Sequence, residues 1–120
     1  MKAGLKNFQD KVVVITGAGS GFGREFARLG AQQGMKLVLA DVQQDALNIV
    51  EAELVAQGAQ VLALHCDVSK AEQVQALADA TMERFGAVHL LFNNAGVGSG
   101  GLIWENSAAD WDWVMGVNVF

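Results

Sequence analysis

Four short runs, apolar throughout except for His89 at the start of the last one, recur along this 120-residue chain at nearly equal spacing. They occupy residues 12–15, 37–40, 61–64 and 89–92, so successive runs start 25, 24 and 28 residues apart. Continuous apolarity is typical of a strand covered on both faces, because a strand with one exposed face alternates between apolar and polar residues. The intervals leave room for one helix and two short loops. The pattern therefore predicts repeated β-α units that form a parallel sheet with helices on both faces.

Apolar stripes at helical spacing fill the three intervals, and each stripe is followed by a glycine that can end a helix. The stripes are Phe22, Phe26 and Leu29 before Gly34; Leu47, Val50 and Leu54 before Gly58; and Val74, Leu77, Thr81 and Phe85 before Gly86. Ser69 and Glu72 have the spacing of a capping box and predict the start of the third helix.

A fourth helix is predicted beyond the last run, because Ser107 and Asp110 have the spacing of a second helix cap. The residues of its stripe are Trp111, Val114, Met115 and Asn118. With a helix there, the fourth strand is expected to remain an unpaired edge of the sheet, which favours self-association.

Composition and charge exclude several classes of protein. A net charge of −5 argues against binding to nucleic acid or to an anionic membrane, since little here would neutralise phosphates. The longest aliphatic run, residues 12–15, is far shorter than a membrane span. Cys66 is the single cysteine, so no internal disulfide can form and we expect a cytoplasmic location. His65 and His89 have no companion at metal-ligand spacing, and we expect no metal site.

Eight of the 14 glycines lie in two clusters, residues 17–23 and 96–101, and each cluster follows a predicted strand. Ligands of open α/β sheets bind at the carboxyl ends of the strands, where glycines let backbone N–H groups approach a phosphate. The first cluster, the glycine loop, lacks the Gly-Lys-Ser/Thr of a Walker A loop and the plain G-x-G-x-x-G spacing. With the preceding Thr16 it reads T-G-x-x-x-G-x-G, through Gly17, Gly21 and Gly23.

This pattern resembles the short-chain dehydrogenase/reductase family, and four further motifs agree in order along the chain. Asp41 ends the second predicted strand, Asp67 and Val68 end the third, and Asn-Asn-Ala-Gly at 93–96 ends the fourth. Asn118, within Gly-Val-Asn-Val, matches an Asn of the family's catalytic set. The resemblance covers residues 11–119 and corresponds to the first half of the family's fold, a Rossmann-type doubly wound parallel sheet.

The resemblance implies an NAD(P)-dependent oxidoreductase that transfers hydride between nicotinamide and a small-molecule carbonyl or secondary alcohol. It implies that Asn118 anchors a water in a proton relay, and that the enzyme is a homo-oligomer. The cofactor-binding residues that it implies are Gly17, Ser20, Gly21, Phe22, Gly23, Asp41, Asp67, Val68, Asn94, Ala95 and Gly96.

The choice between NAD and NADP depends on Asp41. Its carboxylate would accept hydrogen bonds from both hydroxyls of the adenosine ribose, whereas a 2′-phosphate would meet a like charge. No Arg or Lys stands within the glycine loop or directly after Asp41, so the sequence favours NAD.

Each of these residues also has a purely structural interpretation. Asp41 and Asp67 can cap or precede helices, Asn93 and Asn94 can be turn residues, and Asn118 can be an amide that bridges elements. Three tryptophans fit a core, an interface or a substrate mouth equally well, and these are Trp104, Trp111 and Trp113.

The Ser, Tyr and Lys that complete the family's catalytic set have no counterpart here, and the chain contains no Tyr at all. We therefore expect residues 1–120 to be one dinucleotide-binding domain, truncated after four strands and the start of the next helix, and inactive by itself. If 120 residues are the whole product, a non-catalytic dinucleotide-binding or dimerisation module is the alternative.

Overall fold

The computed structural model describes residues 8–94 and the strand at 114–118, which together form one parallel sheet flanked by helices. The sheet has the order β3-β2-β1-β4-β5, and every neighbouring pair is parallel. This arrangement confirms the predicted Rossmann-type α/β fold. In chain order the elements are β1 (Val12–Thr16), α1 (Gly21–Gln32), β2 (Lys36–Asp41), α2 (Gln44–Ala56), β3 (Val61–His65), α3 (Ala71–Phe85), β4 (Leu90–Asn93) and β5 (Val114–Asn118).

The core lies on both faces of the sheet, which explains why the strands are continuously apolar. Every residue of β1 is buried, and successive side chains enter different clusters. Val12 and Val14 pack in the cluster that includes α3, whereas Val13 and Ile15 pack with α1 and α2. Burial of one such side chain contributes about 1.5–3 kcal/mol, so β1 is the centre of the fold.

The apolar stripe predicted for α1 is wrong for two of its three residues. Phe22 and Leu29 are 68% and 55% exposed, and the buried residues of the helix are Gly23, Ala27 and Gly30. A β-carbon at Gly30 would lie 2.9 Å from the nearest side chain of β2. The helix therefore packs through its small residues, because only these allow so close an approach to the sheet. The predicted stripes of α2 and α3 are confirmed for Leu47, Val50, Leu54, Val74, Leu77 and Thr81.

The helix predicted from Ser107 is wrong where the structure describes it, because the range Val114–Asn118 forms a strand beside β4. Val114 lies opposite Leu90 and Asn118 opposite Asn93, with an irregularity in the register between these pairs. The expectation that β4 remains an unpaired edge is therefore also wrong. The start of the predicted helix, residues 107–113, lies outside the described residues.

The physical reason is that the outer edge of β4 presents backbone donors and acceptors that need partners. A neighbouring strand forms hydrogen bonds with these backbone groups, whereas the backbone groups of a helix form hydrogen bonds only with one another. Residues 114 and 117 are both valine, whose branched side chain favours a strand. Within the described part of the chain, no helix has the length and apolarity that crossing a membrane requires.

Candidate functional site

An open cavity of about 380 Å³ lies at the carboxyl ends of the strands. Its wall comes from the segments that follow β1, β2, β3 and β4, so four chain-distant loops meet there. The strand order reverses beside β1, whose neighbours are β2 and β4, and such a switch point is where doubly wound sheets bind ligands. The lining residues are Gly17, Ser20, Asp41, Val42, Gln43, Cys66, Asp67, Val68 and Asn94.

The glycine loop turns sharply from β1 into α1. Gly17 and Gly21 have φ of 66° and 60°, a left-handed conformation that favours glycine. A β-carbon at Gly23 would overlap the Gly17 carbonyl oxygen, so the loop closes tightly on the first turn of the helix. Ser20 is the N-cap residue of α1 but its side chain makes no cap hydrogen bond. The first N–H groups of α1 therefore have no side-chain acceptor.

The Asp41 carboxylate joins two loops at the wall of this cavity. It is only 8% exposed. The Gly19 N–H donates to Oδ2 at 2.8 Å, and the Gln43 N–H donates to Oδ1 at 2.9 Å. Each carboxylate oxygen thus accepts one backbone hydrogen bond and retains further acceptor capacity.

A second set of hydrogen bonds fastens the glycine loop to the end of β4. The Thr16 hydroxyl donates to Asn93 Oδ1 at 2.7 Å and accepts from the Asn94 N–H at 3.0 Å. The Asn94 side chain donates to the Gly17 carbonyl oxygen at 3.3 Å. Asn93 is buried against Thr16, whereas Asn94 lines the cavity, so the two neighbouring amides have different surroundings.

The segment after β3 forms the opposite wall. Asp67 Oδ1 accepts from the Ser69 hydroxyl at 2.7 Å and from the Ser69 N–H at 3.0 Å. These two hydrogen bonds lower the pKa of Asp67. The predicted capping box of Ser69 and Glu72 is not formed, since Lys70 is the N-cap residue and makes no side-chain cap bond. The Asp67 carboxylate is a charged acceptor and takes the Ser69 hydroxyl instead.

Cys66 also lines the cavity, although it is only 3% exposed. Its thiol donates to the Gln73 carbonyl oxygen at 3.6 Å. Burial, together with the neighbouring Asp67 charge, raises its pKa to about 11.

Three lining residues were missed by the sequence analysis, and these are Val42, Gln43 and Cys66. Each adjoins a residue that was singled out. The available signal was that the whole turn after a strand, rather than its acidic residue alone, reaches the carboxyl edge of the sheet.

Other predicted site residues lie elsewhere. Gly21 and Phe22 line a separate, shallow hollow of about 330 Å³ at the start of α1. Asn118 ends a strand rather than lying on a helix, so its predicted helical placement is wrong. Ala95 and Gly96 lie outside the described residues, as do Trp104, Trp111 and Trp113.

The histidines are not grouped with other metal ligands. His65 is exposed at the end of β3, and His89 Nδ1 accepts a hydrogen bond from the Val12 N–H at 2.9 Å. Among residues 8–94, no group of three or more His, Cys, Asp or Glu side chains is arranged to hold a metal ion.

Comparison with known proteins agrees with this architecture. The profile of the short chain dehydrogenase family matches residues 11–120. A CLA biosynthesis dehydrogenase/reductase from Lactiplantibacillus plantarum is 42% identical over 115 residues, which are 96% of this chain and 40% of that protein. The chain therefore belongs to the short-chain dehydrogenase/reductase family.

Two solved structures show the range of cofactors among its relatives. A short chain dehydrogenase/reductase from Burkholderia phymatum in complex with NAD is 64% identical with a TM-score of 0.74, over 90% of this chain and 38% of that one. An alcohol dehydrogenase from Thermococcus sibiricus complexed with 5-hydroxy-NADP is 43% identical with a TM-score of 0.71, over 75% of this chain and 39% of that one. This chain thus spans about two fifths of the length of these relatives.

Proposed function

We propose that this chain forms the cofactor-binding part of an NAD-dependent oxidoreductase that acts on a small-molecule carbonyl or secondary alcohol. The observation that carries the proposal is the meeting of the glycine loop and the buried Asp41 carboxylate at one cavity. Bound nicotinamide would supply the hydride chemistry, and the protein would bind and orient it. The roles in binding the cofactor are assigned to this chain's own residues.

The glycine loop fits a diphosphate. Its tight turn excludes β-carbons at Gly23 and disfavours them at Gly17 and Gly21, so an anion can approach the backbone closely. The N-terminus of α1 adds N–H groups and the positive end of the helix dipole. We assign the diphosphate to this loop, with Ser20 and Phe22 at its exposed side.

Asp41 fits the adenosine ribose. Each carboxylate oxygen already accepts one backbone N–H and can accept one ribose hydroxyl as well. A 2′-phosphate would lie against this negative charge. None of the described residues that line the cavity is Lys or Arg, so nothing there would neutralise such a phosphate. We therefore propose NAD as the cofactor rather than NADP.

The wall after β3 fits the adenine ring. We assign Asp67 as an acceptor for the adenine amino group and the Val68 backbone as a donor to the ring. Val42 adds an apolar surface to the same cavity and is 51% exposed without a ligand. The second ribose of the cofactor would be held by Asn94, Ala95 and Gly96. The Asn94 side chain also donates to the Gly17 carbonyl oxygen in the glycine loop.

The acid/base chemistry of a carbonyl reduction is assigned to groups outside this sequence, because the chain has no Tyr. We propose that these 120 residues alone reduce no carbonyl, since a positioned proton donor contributes about 10²–10⁴-fold. Asn118 remains the one candidate for the catalytic set. We also propose a homo-oligomer and, from the unpaired Cys66, a reducing cytoplasmic compartment.

Titration calorimetry with NAD, NADP and adenosine diphosphoribose tests the proposal. NAD and adenosine diphosphoribose should bind with comparable affinity, because the assigned contacts lie on the adenosine diphosphate half. NADP should bind more weakly. Failure to bind adenosine diphosphoribose would contradict the assignment of the cavity.

An NADH-oxidation assay against a panel of ketones and aldehydes tests the proposal that these residues bind the cofactor but do not supply the acid/base groups. No turnover is expected from the 120 residues alone, and turnover is expected from a longer chain that adds a Tyr-x-x-x-Lys segment. A chain that binds NAD but gains no activity in that longer form would favour a non-catalytic nucleotide-binding module.

A further inference from the structure

Gly19 differs from Gly17 and Gly21 in its backbone conformation. Gly17 and Gly21 have positive φ, but Gly19 does not, so no left-handed conformation calls for a glycine there. A side chain at Gly19 would instead lack space. A β-carbon at Gly19 would lie 2.9 Å from Asp41 Oδ2 and 2.9 Å from the Ala46 β-carbon, both closer than side chains pack.

The same glycine holds the Asp41 carboxylate in place. Its N–H donates to Oδ2, and the N–H of Gln43, in the loop after β2, donates to Oδ1. Hydrogen bonds to a charged acceptor are short and strong, and two of them from separate segments prevent the carboxylate from rotating. The charge of Asp41 is therefore held at a fixed point of the cavity wall.

We propose that Gly19 is a specificity-determining residue, which selects NAD over NADP by holding the Asp41 carboxylate where the 2′ position of the ribose must lie. This inference rests on the proposed function. A carboxylate free to rotate could turn away from a 2′-phosphate, whereas this one cannot. Gly19 is not among the residues that line the cavity and contacts Asp41 through its N–H, so it acts as a positioning residue.

The test compares two probes that differ only in the 2′-phosphate, adenosine diphosphoribose and 2′-phospho-adenosine diphosphoribose. Gly19→Ala should reduce the preference for the first probe by roughly tenfold, because the added methyl displaces one charge-assisted hydrogen bond. Overall stability alone would change both affinities equally and leave their ratio unaltered.

Ala46→Gly provides the matched control, since it removes the second close contact of the new methyl group. Alone, it should leave the ratio unchanged. Combined with Gly19→Ala, it should still show the reduced preference, because the contact with Asp41 remains. If the double variant regains the original ratio, the effect passes through Ala46 and the proposal is overturned.

Amide hydrogen exchange gives a readout that needs no ligand. The Gly19 amide should be protected in the unliganded chain and should exchange at least about tenfold faster in Asp41→Ala. If Gly19→Ala binds neither probe, hydrogen exchange in the original chain tests the proposal instead. A Gly19 amide that is unprotected there overturns the proposal. An unchanged ratio in a well-folded Gly19→Ala also overturns it. If the original chain binds neither probe, the proposed function itself fails.

Discussion

Asp41 is the last residue of β2 and Asp67 follows the adjacent β3, so both lie at the same edge of the sheet, yet their carboxylates have very different surroundings. Asp41 is buried and accepts a hydrogen bond from Gly19, 22 residues earlier, as well as from Gln43. Asp67 is partly exposed, and among the described residues its carboxylate accepts from Ser69 alone, two residues later. One carboxylate connects two loops, and the other organises a single turn.

The difference follows from the position of the two strands in the sheet. β2 lies between β1 and β3, so the glycine loop after β1 covers the end of β2 and supplies a donor. β3 is at the edge of the described sheet, and no further strand there brings a loop over Asp67. The same residue type after a strand therefore has a long-range role inside the sheet and a local role at its edge.

Removing the long-range carboxylate should have the largest effect. Asp41→Ala should weaken adenosine diphosphoribose about 100-fold, since two charge-assisted ribose hydrogen bonds are worth roughly 1.5–3 kcal/mol each before water compensates. The difference between the affinities for NAD and for NADP should become smaller as well. Calorimetry measures both, with Asp79→Ala on the exposed face of α3 as a control that removes an equal charge. An equal loss in both variants would mean that charge alone, rather than contact, is responsible.

The turn after β3 itself contains two side chains with different surroundings. Cys66 is buried, whereas its neighbour Asp67 is partly exposed. With a pKa of about 11, its thiol stays protonated at pH 8, and iodoacetamide should modify it roughly a hundredfold more slowly in the folded than in the unfolded chain.

The raised Cys66 pKa also predicts a direction for stability. The pKa of the thiol is near 9.0 in the unfolded chain, whereas the folded thiol stays protonated until about pH 11. Stability should therefore fall between these values as pH rises, and Cys66→Ser should remove that part of the fall. Rapid modification of the folded chain by iodoacetamide at pH 8 would contradict the raised Cys66 pKa on which both predictions depend.

Two buried threonines extend the comparison from carboxylates to hydroxyls. Thr16→Val removes the hydroxyl that donates to Asn93 and accepts from the Asn94 N–H, and should lower the free energy of unfolding by about 1–3 kcal/mol. Thr81→Val removes only a bond to the Leu77 carbonyl within α3, and should cost less than about 1 kcal/mol. Urea unfolding of both variants measures the difference, and equal losses would show that long-range placement adds nothing.

The smallest effect is expected at Asp67. Its pKa is lowered in the folded chain by the two Ser69 hydrogen bonds, so its stabilising contribution is present above its unfolded pKa, near 3.8. That contribution is lost as pH falls through the lower folded pKa. Asp67→Asn should therefore be slightly less stable at pH 7 and should match the original chain in strong acid. Adenosine diphosphoribose should bind only a few-fold more weakly. A loss as large as that of Asp41→Ala would remove the distinction between the two carboxylates.

Much of the fold was predictable because it depends on local pattern. The four apolar runs predicted β1 to β4, and the stripes of α2 and α3 predicted their buried faces, since large apolar residues must leave water. α1 was mispredicted because its contact with the sheet depends on how closely two backbones approach. Phe22 and Leu29 are hydrophobic enough for a core, but the small residues on the other side of the helix pack more closely.

The sequence by itself determined the alternation of four parallel strands with three helices along the chain, and the glycine loop, because periodicity and backbone freedom are properties of neighbouring residues. Only the tertiary structure decided that 114–118 pairs with β4 instead of continuing a helix, since the need for a backbone partner came from a strand more than 20 residues away. It likewise decided that Asp41 is held by Gly19 while Asp67 is held by its own turn. Such contacts join residues that the chain keeps apart, and they exist only once the strands are side by side.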